Sequence, residues 1–243
     1  MRIPRIYHSE ALAINTSVSL EPDAANHVGR VLRMQPEQEL ILFNGDGFDY
    51  QAKITATSKK NVEVTTLDKV AVNNESPLSL HLAQGISRGD KMDFTIQKSV
   101  ELGITEITPI FTERCGVKLS GERLQKKHMQ WQKIAIAACE QSGRSIVPTV
   151  HTPITINEFL TQQTSQLKLN LHPKATTNIK QLNCPTDGIR FIIGPEGGLD
   201  DNEIQLAADA GYLDVLLGPR VLRTETAALT LLTALQLQFG DLA

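Results

Sequence analysis

Between Arg190 and Ala227 the chain repeats one pattern: an apolar strand runs into a Gly-Pro loop and then into a helix. The first copy reads Phe191-Ile192-Ile193, then Gly194-Pro195-Glu196-Gly197-Gly198, with a helix opening through Leu199-Asp200-Asp201-Asn202-Glu203. The second reads Val215-Leu216-Leu217, then Gly218-Pro219-Arg220-Val221-Leu222-Arg223-Thr224-Glu225, with a helix from Thr226 almost to the end. Strand–loop–helix units build open α/β sheets, whose ligands bind beyond the carboxyl ends of the strands. The two loops, expected on neighbouring strands, therefore face one pocket. Glycine admits positive φ and close approach of the main chain, while proline fixes φ and withdraws a donor, so both loops are stiff and present backbone groups.

No glycine-rich run ends in Lys-Ser or Lys-Thr, and no G-x-G-x-x-G follows a strand. A nucleotide-like ligand would not be held as in a P-loop or a Rossmann fold. The pair Ile193 to Gly198 and Leu217 to Ala227 instead resembles the two cofactor loops of SPOUT-class RNA methyltransferases. Within that class the chain most resembles the ribosomal RNA small-subunit methyltransferase E family. Further matching segments are Lys98-Ser99-Val100-Glu101-Leu102-Gly103, Glu113-Arg114-Cys115, Glu140-Gln141-Ser142-Gly143-Arg144 and Arg2-Ile3-Pro4-Arg5.

The resemblance implies an α/β fold: a SPOUT-type parallel sheet with a C-terminal trefoil knot, preceded by a small PUA-like β-barrel domain. It implies S-adenosyl-L-methionine as cofactor and N3 of a uridine in 16S rRNA as the methyl acceptor, with the assembled small ribosomal subunit as the expected partner. It places Leu171, His172, Gly194, Pro195, Glu196, Gly197, Gly198, Leu217, Gly218, Val221, Leu222, Arg223 and Thr224 in the cofactor pocket. His172 also reads as a hydrogen-bonded structural residue at a strand end, and Glu196 as a cap for nearby amides. Two other classes compete: an RNA-binding ribosome assembly factor without catalysis, and a methyltransferase of the same class acting elsewhere on RNA.

The 243 residues suit one large domain or two smaller ones, and 41% hydrophobic residues suffice for a core. Net charge is −3, so RNA binding needs a local basic surface rather than a polycation. Residues 85 to 144 hold 10 Lys or Arg against 7 acids, whereas 145 to 243 hold 6 against 10, so the positive excess lies in the middle. Cys115, Cys139 and Cys184 form no C-x-x-C pair, and the six histidines lack close ligand spacing, so reduced thiols and no metal are expected. The polar amino end and the lack of an apolar run of roughly 18 residues argue against a signal peptide and a membrane anchor, and for the cytoplasm.

Taken in order, residues 1 to 70 read as short strands, Leu40 to Phe43, Asp49 to Ile54 and Val62 to Leu67, with a hairpin turn at Asn44-Gly45-Asp46-Gly47. Arg2, Arg5, Arg30 and Arg33 lack close acids in sequence and are candidates to track phosphates, although solvated surface accounts for any one of them as well. Residues 71 to 77 read as a linker broken by Pro77, and 78 to 243 as alternating strands and helices. Met92, Ile96 and Val100 mark one helical stripe, and Trp131, Ile134, Ala135 and Ala138 another that stops at Gly143. Thr155-x-x-Glu158 is a capping box. Leu167 to Leu171 is a strand that delivers His172.

Methyl transfer to an imide nitrogen needs the base unpaired, deprotonated and stabilised as an anion. Arg223, always charged, is the first catalytic candidate. Glu225 reads either as a base or as a carboxylate that gains about 0.3–1 kcal/mol from the helix dipole. Arg114 and Arg144, in family motifs, are candidates to hold RNA or the target base. The last helix has little polar face, and a helix apolar all round must be buried all round, which predicts a homodimer through it.

Overall fold

The computed structural model describes residues 3–58 and 61–242, so the candidate Arg2 lies outside the described residues. The chain divides into two compact units: residues up to Glu75 together with 139–147, and Ser76 to Ala138 together with Pro148 onward. That 139–147 cluster with the first unit is a long-range fact that no local signal in the sequence carries.

The first unit holds β1 (Arg5–Tyr7), β2 (Ser17–Ser19), the short helix α1 (Pro22–Asn26) with a π-helical turn at His27–Val31, β3 (Glu39–Phe43), β4 (Phe48–Thr57) and β5 (Val62–Ala71). They form a five-stranded sheet in the order β1-β3-β4-β5-β2, antiparallel except where β1 runs parallel to β3. Along β4, Tyr50, Ala52 and Ile54 alternate inward, and along β5 Val62 and Val64 do the same, as expected of an antiparallel sheet with one wet face. They pack with Ile6, Val28, Leu40 and Leu42 into one core. Gly45 and Gly47 take positive φ, +95° and +86°, in the turn between β3 and β4, where glycine bears no Cβ penalty.

Two arginines offered for RNA are consumed inside this unit. Arg5 pairs with Asp49, donates to the Arg144 carbonyl at 3.0 Å and to Ser145 Oγ at 2.9 Å, and lies over the Phe43 ring. Arg144 is only 4% exposed and pairs with Glu75. Neither acid is near its arginine in sequence, so the pairing was invisible there. Arg30 and Arg33 make no ion pair among the described residues, and Arg33 sits at φ +53°.

The second unit contains β6 (Leu80–Gly85), α2 (Lys91–Glu101), β7 (Glu106–Phe111), most of α3 (Gly121–Ser142), β8 (Thr149–Val150), β9 (Ile154–Thr155), α4 (Ile156–Thr161), β10 (Leu167–Leu171), β11 (Thr177–Asn178), β12 (Ile189–Ile193), α5 (Asp201–Asp209), β13 (Leu213–Leu216) and α6 (Thr224–Phe239). The sheet is parallel throughout, in the order β11-β13-β10-β12-β6-β7-β8, with β9 paired to β7. Every residue of β6 and β12 is buried, as befits central strands covered on both faces. Met92, Ile96 and Val100 of α2 and Trp131, Ala135 and Ala138 of α3 are buried as their periodicity predicts, whereas Ile134 is partly exposed. The Thr155–Glu158 capping box opens α4.

Two expectations are corrected. The strands before the Gly-Pro loops are not neighbours, because β10 lies between β12 and β13 and bonds to both. The last helix opens at Thr224 rather than Thr226, with Arg223 as its N-cap residue.

Replacing Arg144 by Ala should leave Glu75 without its guanidinium and cost the first unit about 1.5–3 kcal/mol. The measurement is the midpoint of urea unfolding; an unchanged midpoint would return Arg144 to the surface.

Candidate active site

The carboxyl ends of β10, β12 and β13 open onto a cavity of about 600 Å³, within the size range of small-molecule sites. Its wall takes Leu171, His172, Gly194, Pro195, Glu196, Gly197, Gly198, Leu217, Val221, Leu222, Arg223 and Thr224 from the expected pocket set, together with Arg114. Gly218 and Glu225 do not line it. Because β10 stands between the two loop-bearing strands, its own end forms the floor, which is why His172 arrives there.

The first loop is shaped by backbone contacts. The Gly198 amide donates to the Pro195 carbonyl at 2.9 Å, closing a turn, and Gly198 itself has φ +67°. The end of β6 comes so close that a Cβ on Gly85 would stand 2.4 Å from the Pro195 nitrogen and 2.6 Å from its Cδ. Only a residue without a side chain permits that approach.

The two loops are joined through Thr224. Its hydroxyl donates to the Gly194 carbonyl at 2.6 Å and receives the Gln84 Nε2 hydrogen at 2.9 Å, while Gln84 also reaches the Gly85 carbonyl at 3.0 Å. Gln84 and Thr224 are both buried, so these bonds are shielded from competition by water.

Glu196 caps amides, as one of its two readings held. Its Oε1 accepts from the Arg88 amide at 3.0 Å and from Lys91 Nζ at 3.1 Å, tying the loop to the start of α2. Burial alone would raise its pKa, but hydrogen bonds from its own amide, the Arg88 amide and Lys91 prevail and lower it. The ionised carboxylate's contribution is therefore complete above the ordinary glutamate range and is lost as the pH falls through that lowered value.

Arg114 donates to the carbonyls of Gly197 and Leu199, both at 3.2 Å, so it buttresses the loop. The adjacent Glu113 amide donates to Glu203 Oε1 at 2.8 Å, and Glu203 belongs to the capping box that Asp200 forms at the start of α5. The Glu113-Arg114 segment and the first loop are thus one braced unit.

On the β10 side, the His172 amide donates to the Val215 carbonyl at 3.0 Å, and Asn170 Nδ2 donates to Asp214 Oδ1 at 2.7 Å. The second loop is more open: Val221 is 87% exposed, and Arg220 and Arg223 are exposed. Arg223 makes no side-chain hydrogen bond or ion pair among the described residues and keeps its donors for a ligand. Glu225 stands in the first turn of α6, and its buried Oε2 has no hydrogen-bond partner among the described residues.

Lys91, Asn170, Lys174, Asp201 and Arg220 also line the cavity and were missed. Asn170 had a signal, a polar residue inside an apolar strand one step before Leu171. Lys91 had none, since it arrives from another crossover helix. With them, Lys91, Arg114, Lys174, Arg220 and Arg223 face only Glu196 and Asp201 in the wall, so a chain of net charge −3 turns a locally cationic surface to its ligand.

An RNA methyltransferase domain family matches residues 74–236, and an RNA methyltransferase PUA domain family matches residues 20–67. The ribosomal RNA small subunit methyltransferase E of Buchnera aphidicola (strain APS) is 41% identical, over 99% of this chain and 95% of the relative. The chain belongs to the ribosomal RNA small subunit methyltransferase E family.

Two solved structures are similar to this chain over the full length of both chains. The family enzyme of Neisseria gonorrhoeae, bound to S-adenosylmethionine, is 41% identical with a TM-score of 0.93. A methyltransferase of Legionella pneumophila, in complex with the same cofactor, is 45% identical with a TM-score of 0.97. Membership gives the cavity its chemistry class, while the distances above are this chain's own.

A Cβ on Gly85 must displace Pro195 backbone, so Gly85→Ala should cost about 1–3 kcal/mol through overpacking. Amide hydrogen exchange should quicken in residues 196–198 and stay unchanged in β4. Unaltered exchange in the loop would mean that the approach is not tight.

Proposed function

We propose that this protein transfers the methyl group of S-adenosyl-L-methionine to N3 of a uridine in 16S rRNA, acting on the small ribosomal subunit. The observation that carries the reading is the cavity wall, in which a braced first Gly-Pro loop, a more open second one and the β10 end surround an apolar floor, with cations beside it. Leu171, Ile193, Leu216 and Leu222 offer surface for a flat ring, and the loops offer backbone donors and acceptors, so the residues present fit this cofactor. Bound there, it supplies an electrophilic methyl group on a cationic sulfur.

The chain's part is positioning and electrostatics, since aligning donor and acceptor removes much of the barrier to in-line transfer. Loss of the N3 proton to solvent water leaves an anion spread over the uracil ring, which then takes the methyl group as the sulfonium becomes a neutral thioether. Arg223 supplies the guanidinium donors that stabilise that anion. His172 and the first loop hold the cofactor side, while the cationic rim at Lys174 and Arg220 meets phosphates. Glu225, outside the cavity wall, serves the first turn of α6.

The same reading includes the trefoil knot in the carboxyl-terminal segment, closure of the first unit as a PUA-like barrel, and work in the cytoplasm. Among the described residues no helix is long and apolar enough to cross a membrane. It also includes a homodimer. Ala227, Ala228, Leu231, Leu232 and Leu235 of α6 are buried within the unit, but Leu237 remains 53% exposed and Leu229 partly so, two apolar side chains that a second copy would cover.

Incubation with S-adenosylmethionine and unmodified small subunits, followed by nucleoside mass spectrometry, should yield 3-methyluridine. Arg223→Ala should keep cofactor affinity within severalfold and lower turnover by about 10²–10³-fold. A different methylated nucleoside would overturn the acceptor assignment, and no methylation with no cofactor binding would favour an assembly factor. Size-exclusion chromatography with light scattering should report twice the chain mass at micromolar concentration; a monomer there would end the dimer proposal.

A further inference from the structure

The parallel register gathers a second group of side chains at the other end of the sheet from the cavity. His81 is the second residue of β6, Glu106 the first of β7, and His151 directly follows β8. His81 pairs in register with Glu106, and Glu106 with Thr149, so three adjacent strands present these residues side by side. One ligand atom from each, an imidazole nitrogen or a carboxylate oxygen, lies within 4.8 Å of the other two. From this geometry we infer that His81, Glu106 and His151 form a binding site for a divalent transition-metal ion of the zinc type.

The donor set suits that ion: two imidazoles and one carboxylate, leaving a fourth position for water. His151 Nε2 is 2.7 Å and His81 Nδ1 3.9 Å from Glu106 Oε2. Tetrahedral ligands about 2.0–2.1 Å from zinc lie about 3.4 Å apart, so the shorter separation must open by about 0.7 Å and the longer close by about 0.5 Å. His81 is 3% exposed, and its Nδ1 has no hydrogen-bond partner among the described residues. A buried polar atom without a partner is costly, and a ligand aimed at it would remove that cost.

The other side of the ring is already arranged. His81 Nε2 lies 2.8 Å from Thr108 Oγ1, and with the proton on Nε2 donated to that hydroxyl, Nδ1 keeps a lone pair for the metal. Such a partner fixes the tautomer and orientation of a ligating histidine. The ring is also packed edge-on against Phe159. Arg190, opposite His81 on β12, lies over Phe159 and bonds Gln162, and its positive charge opposes a cation. The Glu106 carboxylate is therefore indispensable to the site. Spacings of 25 and 45 residues between the ligands hid it from the sequence, since only strand pairing brings them together.

Untagged, chelator-stripped protein titrated with Co2+ should develop the visible absorption of tetrahedral cobalt at one equivalent, and Zn2+ should displace it. Glu106→Gln and His151→Asn, both at partly exposed positions and checked for native circular dichroism, should abolish the band. Thr108→Val, which removes only the supporting hydroxyl, should weaken binding by about 10–100-fold. No cobalt band, or a band that persists in Glu106→Gln or His151→Asn, would overturn the site. Should either variant lose its native spectrum, wild-type protein decides: imidazole resonances of His81 and His151 must both shift on Zn2+ addition, and their constancy would equally overturn it.

Discussion

The hydroxyl of Thr224 is the point on which the active-site architecture turns. It satisfies the Gly194 carbonyl of one loop from the first turn of the helix that follows the other, and Gln84 reaches it from the central strand β6. Three segments distant in sequence thus meet at one buried atom. Without that bond the first loop would lose its buried partner, and a carbonyl without one costs about 1–3 kcal/mol. Thr224 also fixes where α6 begins, and with it the position of Arg223 one residue earlier.

The bracing around the first loop follows a single logic. Main-chain groups must be held rigidly if they are to recognise a ligand, and glycine, which permits the loop's shape, contributes no rigidity of its own. Side chains from outside supply it: Arg114 holds two carbonyls, Glu196 anchors on the start of α2, and Gly85 lets β6 press against Pro195. The second loop has no comparable bracing around its exposed Arg220, Val221 and Arg223. Rigidity on one side and unpartnered cations on the other match a site that must hold a small cofactor tightly and admit a large polyanion.

What could be read from the sequence was whatever a local pattern encodes. The apolar runs of β10 and β12, the hairpin at Gly45 and Gly47, the helical stripe of α2 and the Thr155 capping box all stand where their signals put them, while β13 runs Leu213–Leu216 and starts two residues before its apolar run. Most of the expected pocket residues line the cavity because the loops that carry them directly follow strands. What could not be read depends on pairing across the chain. β10 between the loop-bearing strands, Lys91 in the wall, and Asp49 and Glu75 beside Arg5 and Arg144 are all products of register and topology.

Arginine makes this division sharp. Six arginines are RNA candidates in the sequence, four on charge without close acids and two on family motifs, yet a guanidinium's charge says nothing about whether the fold has already spent it. Arg5 and Arg144 are buried in ion pairs, where desolvation forces each to keep a carboxylate partner. Arg114 is spent on two backbone carbonyls, whereas Arg223, not among the six, retains its donors. An arginine available to a polyanion is one whose own fold offers it no acceptor, and that property belongs to the three-dimensional neighbourhood. The same reasoning covers His81 in reverse: among the described residues its buried Nδ1 has no hydrogen-bond partner, and the groups nearest that unmet capacity, Glu106 and His151, are ones that a metal ion also requires.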